Sequence, residues 1–205
     1  RCTIEGPVNF NRNSGKDSHC IWIDAPSSFD DNFILELLGT NFADSNGNND
    51  VHSDSGACCL CNCMAIKADN CNFKADLVHE SCGGINVTAK AILEVSNTNF
   101  LRCNAGSAEG SYGGGIGYSY IRSDDHHPDQ SREERINIKD CTFDGGVGQN
   151  GVALLMHMST LNANISGVHV QNHAETSYIF CIFFYMEADN ELFTIKNAEF
   201  TGNSY

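Results

Sequence analysis

An apolar pattern of fixed spacing recurs along the whole chain. Each copy ends on an aromatic residue or a valine, termed the anchor here, with apolar or small residues two, five and seven positions before it. In residues 93–100, Leu93 and Val95 are two positions apart, which is the period of a strand with one buried face. The step from Val95 to Thr98 and Phe100 indicates a bend and then a second short strand. The anchors are Phe10, Phe42, Phe73, Phe100, Phe143, Val170 and Phe200.

The spacing of the anchors predicts a repeat fold. Successive anchors lie 27 to 43 residues apart, close to one circuit of a β-solenoid whose turns stack on one another. A further apolar segment, such as residues 114–118, follows most anchors, so each turn has at least two sheets. We therefore expect an all-β parallel β-helix of about seven turns, a single domain over residues 1–205 with the anchors stacked as a core ladder. The longest interval places a loop insertion at about residues 121–134.

Asparagine follows several anchors by two to four residues. Asparagines stacked at the bends of a solenoid can bond to one another and to backbone groups. We expect such a stack to fix the register between neighbouring turns. The asparagines concerned are Asn13, Asn46, Asn104, Asn172 and Asn203.

Two short motifs resemble those of a known family. Phe-x-x-Asn occurs at residues 10–13 and 200–203, and Gly-Gly-apolar occurs at residues 83–85 and 114–116. These look like the paired repeats of the polymorphic outer-membrane protein family. The resemblance covers nearly the whole chain, and it implies a pectin-lyase-like, right-handed parallel β-helix that acts in adhesion.

Cysteine is abundant, with 11 residues among 205. Their scatter from Cys2 to Cys181 favours disulfides formed in an oxidising compartment over a single metal site. Cys71 and Cys141 occupy the inward position two before an anchor and are interpreted as buried thiols. A zinc thiolate site in residues 58–63 is the alternative for the densest cluster. The disulfide candidates are Cys20, Cys58, Cys59, Cys61, Cys63 and Cys82.

Two glycosylation sequons agree with secretion. Asn86 and Asn164 each begin an Asn-x-Ser/Thr triplet, the acceptor for a surface glycan. The chain starts at Arg1 without a signal peptide, as expected of a processed mature chain or of a piece of a longer one. We therefore predict an extracellular or cell-surface glycoprotein, rich in disulfides.

The charge balance and the apolar segments restrict the partners. A formal net charge of −14 with only 12 lysines and arginines argues against binding of a nucleic-acid backbone, which basic residues neutralise. The longest apolar stretch, residues 178–186, is too short to span a bilayer as a helix and is predicted to be a buried strand. The expected partners are other copies of the chain, neighbouring segments of a longer chain, or glycans.

Candidate catalytic groups are sparse. Glycoside hydrolysis requires a pair of carboxylates, and adjacent aspartates occur at residues 30–31 and 124–125. No Gly-His-Gly phrase accompanies them, as it does in polygalacturonase-like β-helix enzymes, so we predict no catalytic residue and no cofactor. Calcium is the alternative, because an acidic outer face attracts cations.

The predicted loop insertion has the most unusual polar composition in the chain. Its aspartates and histidines are ligand types for zinc, manganese or calcium. A solvated insertion without a metal is the competing interpretation. Because loops often carry function, we also expect this segment to be a recognition surface. The candidate metal ligands are Asp124, Asp125, His126, His127 and Asp129.

These patterns favour a structural or adhesive module of a surface or filamentous assembly, with a stiff stacked core and contacts made by the loops. The alternative is a carbohydrate-binding or polysaccharide-cleaving β-helix, which predicts an aromatic and acidic groove on an outer sheet. Most phenylalanines belong to the core ladder. The aromatic candidates for such a groove are therefore Trp22, Tyr112, Tyr118 and Tyr120.

Overall fold

A computed structural model shows how the sequence repeats stack. It describes residues 1–11, 14–15, 21–24, 33–43, 46–47, 59–62, 64–74, 83–87, 91–103, 114–119, 133–148, 153–158, 162–175, 181–186 and 192–204. All elements of regular structure in these ranges are β-strands, and each pairs in parallel with a strand of a neighbouring repeat. The chain is therefore an all-β parallel β-solenoid, as the anchor spacing predicts.

Three long sheets run along the solenoid. Sheet 1 consists of β1 (Cys2–Glu5), β5 (Ile34–Leu38), β9 (Ala65–Asp69), β12 (Ile92–Ser96), β15 (Arg135–Lys139), β19 (Asn162–Ser166) and β23 (Leu192–Lys196). Sheet 2 consists of β2 (Asn9–Asn11), β6 (Asn41–Ala43), β10 (Asn72–Lys74), β13 (Asn99–Leu101), β16 (Thr142–Asp144), β20 (His169–Gln171) and β24 (Glu199–Thr201). Sheet 3 consists of β4 (Ile21–Asp24), β8 (Cys59–Asn62), β11 (Ile85–Val87), β14 (Ile116–Ser119), β18 (Leu154–Met158) and β22 (Ile182–Met186). Two short pairs are β3 (Ser14–Gly15) with β7 (Asn46–Gly47), and β17 (Val147–Gly148) with β21 (Ala174–Glu175).

Each copy of the sequence repeat contributes one strand to sheet 1 and the next strand to sheet 2, and we term this pair of strands a coil. The anchors of all copies lie in register along sheet 2. The five phenylalanine rings from Phe10 to Phe143 stack nearly parallel, with centroids 4.7 to 5.1 Å apart. Val170 continues the buried ladder, whereas Phe200 in the last coil is 48% exposed. The core is thus a column that grows by one aromatic contact per coil.

A left-handed residue makes the bend between sheets 1 and 2. The residue three before each of six anchors has a φ between +49° and +65°. Glycine adopts this region freely, and asparagine and aspartate do so at lower cost than other residues. The residues are Gly39, Asn70, Asn97, Asp140, Gly167 and Asn197. A second set, two residues after the anchor, is Arg102, Gly145, Asn172 and Gly202.

Glycine before sheet 3 allows that sheet to approach the ladder. A Cβ atom built on Gly84 would lie 2.8 Å from Cδ1 of Phe100, and one on Gly115 would lie 2.5 Å from Cδ1 of Phe143. Both distances are shorter than real Cβ atoms tolerate. The same Cβ atoms would also lie 2.2 Å from the backbone oxygen of Gly115 and 2.8 Å from that of Ala153, so the anchor ring and the backbone of the next coil together require the second glycine of the Gly-Gly-apolar motif.

The predicted asparagine stack after the anchors can be followed for two of its five members, which do not stack on each other, although Asn203 bonds to the backbone of the preceding coil as predicted. Asn172 lies beside Gly202, and Asn203 lies beside His173. Asn172 is two and Asn203 is three residues after its anchor, so the two side chains do not face each other. Asn13 and Asn104 lie outside the described residues, as does most of the predicted insertion at 121–134, and of Asn46 only the backbone is described.

Candidate functional site

The predicted metal ligands and most disulfide candidates lie outside the described residues. Within the described ranges, no three histidine, cysteine, aspartate or glutamate side chains are grouped so that they could hold a metal ion. Cys59 and Cys61 belong to β8, of which only the backbone is described. Both sites stay predictions. The residues outside are Asp124, Asp125, His126, His127, Asp129, Cys20, Cys58, Cys63 and Cys82.

The two predicted glycosylation sites differ in exposure. Asn86 lies in β11 with 9% of its surface exposed. Asn164 lies exposed in β19, where its Nδ2 donates to Oδ1 of Asn137 at 3.4 Å. An acceptor asparagine must be reachable from solvent. Asn164 is the more accessible of the two in this fold, and glycosylation of either stays a prediction.

The cysteines whose side chains are described are free thiols. The Sγ of Cys71 donates to the carbonyl of Leu37 at 3.3 Å, and that of Cys141 donates to the carbonyl of Lys139 at 3.2 Å. Burial raises the pKa of both thiols, that of Cys141 to about 11. A protonated, buried thiol is a poor nucleophile. The interpretation of Cys71 and Cys141 as buried thiols is confirmed. The cysteines that form no disulfide are Cys2, Cys71, Cys103, Cys141 and Cys181.

The outer face of sheet 1 begins with a charged cluster around Glu36. The guanidinium of Arg1 binds both carboxylate oxygens of Glu36, with Nε 2.7 Å from Oε2, and the hydroxyl of Thr3 donates to the same Oε2 at 2.9 Å. The hydrogen bonds from Arg1 and then Thr3 lower the pKa of Glu36 to about 2. Glu36 is therefore ionised throughout the physiological range and already paired along the solenoid axis.

The same face continues with alternating charge. Lys67 lies between Glu36 and Glu94 in register and places its Nζ 2.9 Å from Oε2 of Glu94. Arg135 in the next coil approaches Oε1 of Glu94 at 3.1 Å. Because each charge is neutralised by the coil above or below, this face offers little uncompensated charge to a ligand. We term it the charge row: Arg1, Glu36, Lys67, Glu94 and Arg135.

The outer face of sheet 2 presents neutral amides instead. Each residue directly before the first four anchors is an asparagine, and we term these Asn9, Asn41, Asn72 and Asn99 the amide column. The Nδ2 of Asn41 donates to Oδ1 of Asn9 at 3.2 Å, and that of Asn99 donates to Oδ1 of Asn72 at 2.9 Å. The sequence contained this signal, but the expectation was placed after the anchors instead of before them. The column supports register and exposes hydrogen-bonding groups at each coil.

A buried polar corner lies three residues after the anchors. His173 is 4% exposed, its Nε2 faces the carbonyl of Phe143 at 3.2 Å, and its Nδ1 accepts from the backbone N–H of Gly146 at 3.1 Å. Burial lowers the pKa of His173 below its ordinary value. No motif in the sequence marks His173 as buried, although its position three after Val170 matches that of Asn203 after Phe200.

The outer edge of the last coil, formed by β23 and β24, carries most of the exposed large hydrophobic residues in the described part of the chain. Leu192 is 67% exposed and Phe200 is 48% exposed, while Ile92 and Phe100 at the same positions of a middle coil are half-buried and buried. An apolar surface of this kind marks an interaction site when it is contiguous. We term it the terminal apolar edge: Leu192, Phe193, Ile195 and Phe200.

The prediction that Tyr118 lies on the exterior is wrong. Tyr118 is fully buried beneath sheet 3. Its hydroxyl accepts from the N–H of Ala91 at 2.8 Å and donates to the carbonyl of Ala91 at 3.2 Å. The other groove candidates, the side chain of Trp22 together with Tyr112 and Tyr120, lie outside the described residues.

The fold places the chain in the class of parallel β-solenoids. On the described outer faces of sheets 1 and 2, polar side chains bond to side chains of neighbouring coils. In comparisons with known proteins, no family model, no curated protein and no solved structure matches this chain. The resemblance to the polymorphic outer-membrane protein family is therefore confirmed only at the level of the parallel solenoid. No helix in the described ranges is long and apolar enough to cross a membrane.

Proposed function

We propose that this chain is a stiff structural or adhesive module of an extracellular assembly and that it has no catalytic activity. The observation that carries the proposal is the unbroken parallel register of sheets 1 and 2, in which the charge row and the amide column bond along the axis. Outer side chains that bond between neighbouring coils stiffen the solenoid. Recognition of partners is then left to its loops and its ends. Secretion, disulfides and glycans belong to the same proposal and rest on the sequence.

The partner we propose is a second copy of the chain, docked on the terminal apolar edge. Let β1 of a second copy follow β23 in the register that β1 has with β5. Lys196 then meets Glu5 of the second copy, a pair of opposite charges, and Ile195 meets its Ile4. In sheet 2, Phe200 would stack on Phe10 of the second copy in the manner of the internal ladder.

This docking mode would cover the apolar side chains with matching ones and extend both sheets by edge pairing. In the described part of the chain, neither Lys196 nor Glu5 has an ion-pair partner of its own. Both charges are therefore available for a contact between copies. The competing occupant is a neighbouring segment of a longer chain, which would cover the same edge with a further coil.

The test uses the natural full-length protein, isolated without reduction and imaged by negative-stain electron microscopy. End-to-end fibres or chains of rods are expected. A zero-length carbodiimide, which joins a lysine to a carboxylate with loss of water, should link copies through Lys196, and Lys196→Gln should abolish the ladder of linked species. The exposed Lys139 provides the matched control, since Lys139→Gln should leave the ladder unchanged.

Dispersed single rods with no linked species would contradict docking of a second copy. Links found only within one chain would assign the edge to a neighbouring segment. Calcium bridging is part of the proposal on the strength of the net charge of −14 alone, and assembly that persists in a chelator would remove calcium from it.

The exposed amide column is the observation that favours the second candidate, carbohydrate binding. Neutral amides offer donors and acceptors to sugar hydroxyls without the desolvation cost of a charge. Screening of the intact protein on immobilised polysaccharides tests this candidate. Binding that is lost in Asn99→Ala and kept in Lys139→Gln would support it, and absence of binding at every glycan would reject it.

A further inference from the structure

The corner that holds His173 adds two side-chain hydrogen bonds between adjacent coils, beside the backbone ladders of the three long sheets. We propose that His173 makes this corner acid-sensitive, so that protonation of its ring opens the corner between β17 and β21. The proposal does not depend on the function proposed above, because it concerns the bonds of one buried side chain.

Both ring nitrogens of His173 form hydrogen bonds, and these bonds fix one tautomer of the ring. Nδ1 accepts the N–H of Gly146 at 3.1 Å, so the proton is on Nε2, which donates to the carbonyl of Phe143 at 3.2 Å. A second proton on Nδ1 would face the N–H of Gly146 and turn an accepted bond into a clash between two donors. It would also place a charge at a site that is 4% exposed. Protonation and the closed corner are therefore incompatible.

Equivalent positions in other coils make the same bonds without a titratable ring. The amide of Asn203 donates from Nδ2 to the carbonyl of Val170 at 3.0 Å and accepts with Oδ1 from the N–H of His173 at 3.0 Å. Cys103 donates its Sγ to the carbonyl of Phe73 at 3.4 Å. The carbonyl of the preceding coil needs a side-chain donor at this corner, and for the larger side chains the N–H needs an acceptor. An asparagine supplies both at every pH.

Glycine at position 146 creates the space for the ring. A Cβ atom built there would lie 3.0 Å from Nδ1 of His173, and the short strands β17 and β21 pair directly after this corner. Ser204 donates its N–H to the carbonyl of His173 at 2.9 Å. Movement of His173 would therefore loosen β17 against β21 and also the contact with the end of the last coil.

Among the residues whose side chains are described, few charged groups lie around the corner. Asp144 on β16 favours the protonated ring, but its carboxylate already accepts from Gln171 and Asn172. Glu199 on β24 pairs with His169 on the outer face of sheet 2. Desolvation outweighs Asp144 and lowers the pKa of His173.

The sign of the pH dependence follows from this balance. A histidine whose pKa is lowered in the folded state contributes full stability above the pKa of the unfolded state, about 6.5, and loses it as the pH falls below that value. The ring of His173 binds a proton more weakly in the closed corner than in the open corner. Acid therefore favours opening of the corner.

The test is amide hydrogen exchange of Gly146 in the intact protein between pH 7.5 and pH 5, with intrinsic rates corrected for pH. Because opening binds one extra proton, the protection factor of Gly146 should fall by up to about tenfold per pH unit below pH 6.5. His173→Asn, which copies Asn203, should keep the protection at neutral pH and remove its pH dependence. The exposed His169→Asn is the matched control and should retain the fall.

An NMR titration of the histidine rings in the natural chain gives a second readout that needs no variant. The ring of His173 should titrate below the ordinary value of about 6.5. A midpoint at or above that value, or an equal fall in protection in the natural chain and in His173→Asn, would overturn the proposal.

Discussion

The middle coils and the last coil carry the same sequence repeat and differ in how deeply its anchor is buried. Phe100 is flanked by Phe73 on one side and Phe143 on the other, and it is buried. Phe200 occupies the same position in its repeat, lies beside Val170, and is 48% exposed. The apolar pattern therefore specifies a strand with an inward face, while burial of that face requires a coil on each side.

The largest effect is expected from a substitution in the phenylalanine ladder itself. Phe100→Ala removes a ring between two stacked neighbours and should destabilise the fold by about 3–5 kcal/mol, the cost of such a cavity. Phe200→Ala removes a half-exposed ring and should cost roughly 1 kcal/mol or less. Denaturant unfolding of both variants measures the difference. Equal losses would show that Phe200 is as fully covered as Phe100 in solution.

The corner between sheet 3 and the ladder should respond to side-chain volume. Gly115→Ala would place a Cβ atom 2.5 Å from Cδ1 of Phe143 and should cost about 2 kcal/mol through overpacking. In the next coil the equivalent residues are Ala153 and Val170, a larger corner residue with a smaller anchor.

A double-mutant cycle sharpens this point. Gly115→Ala combined with Phe143→Val copies the pair in the next coil, so the two losses should be less than additive by about 1 kcal/mol or more. Chemical denaturation of the two single variants and the double variant provides the measurement. Strict additivity would mean that corner and anchor volumes are independent, against the packing described here.

The left-handed bends compare the two regions at matched residues. Asn97 and Asn197 have φ values of +49° and +52° at the same position of their repeats. Replacing Asn97 by alanine should cost about 1 kcal/mol of stability. The Cβ atom of alanine disfavours the left-handed region, and alanine lacks the local compensation that asparagine has. Asn97→Ala also removes the hydrogen bond from Nδ2 to Oδ1 of Asp69 at 2.8 Å, so Asn197→Ala should cost less, and least where the last coil is loosely folded. Thermal unfolding of both variants reports whether the last coil opens first.

The smallest expected effect lies on the outer face. The pKa of Glu36 is lowered to about 2 by hydrogen bonds from Arg1 and Thr3, so its contribution is present above the unfolded pKa and is lost as the pH falls toward 2. Thr3→Ala should raise the midpoint of acid unfolding slightly. Thr194→Ala, at the equivalent position of the last coil, has no such partner in the described residues and should leave the midpoint unchanged.

Much of the fold could be predicted from the sequence because burial imposes two simple rules. Leu93 and Val95 alternate, and the anchors recur near one circuit of the solenoid, which is enough to give the strands, their parallel stacking and the ladder. The positions of Tyr118 and of the amide column could not be predicted as easily. Both depend on the phase at a corner, where a shift of one residue moves a side chain to another face.

The polar sites were harder for a further reason. His173 is recognisable only by what it bonds, two backbone groups of the preceding coil, and no spacing in the sequence marks it as buried. The Gly-Gly motif could be seen in the sequence, yet its cause became visible only when the ring of Phe143 was placed beside Gly115. Local patterns predict strands, whereas contacts between coils decide which polar residues have a role.

The central claim is that each anchor contacts the anchors of the adjacent coils and no others. Nuclear Overhauser contacts between selectively labelled phenylalanine rings test this most directly. The account predicts a chain of contacts from Phe10 through Phe42, Phe73 and Phe100 to Phe143, with none between rings two coils apart such as Phe42 and Phe100. Absence of the contact between Phe73 and Phe100, or a contact between Phe10 and Phe143, would contradict the stacked solenoid.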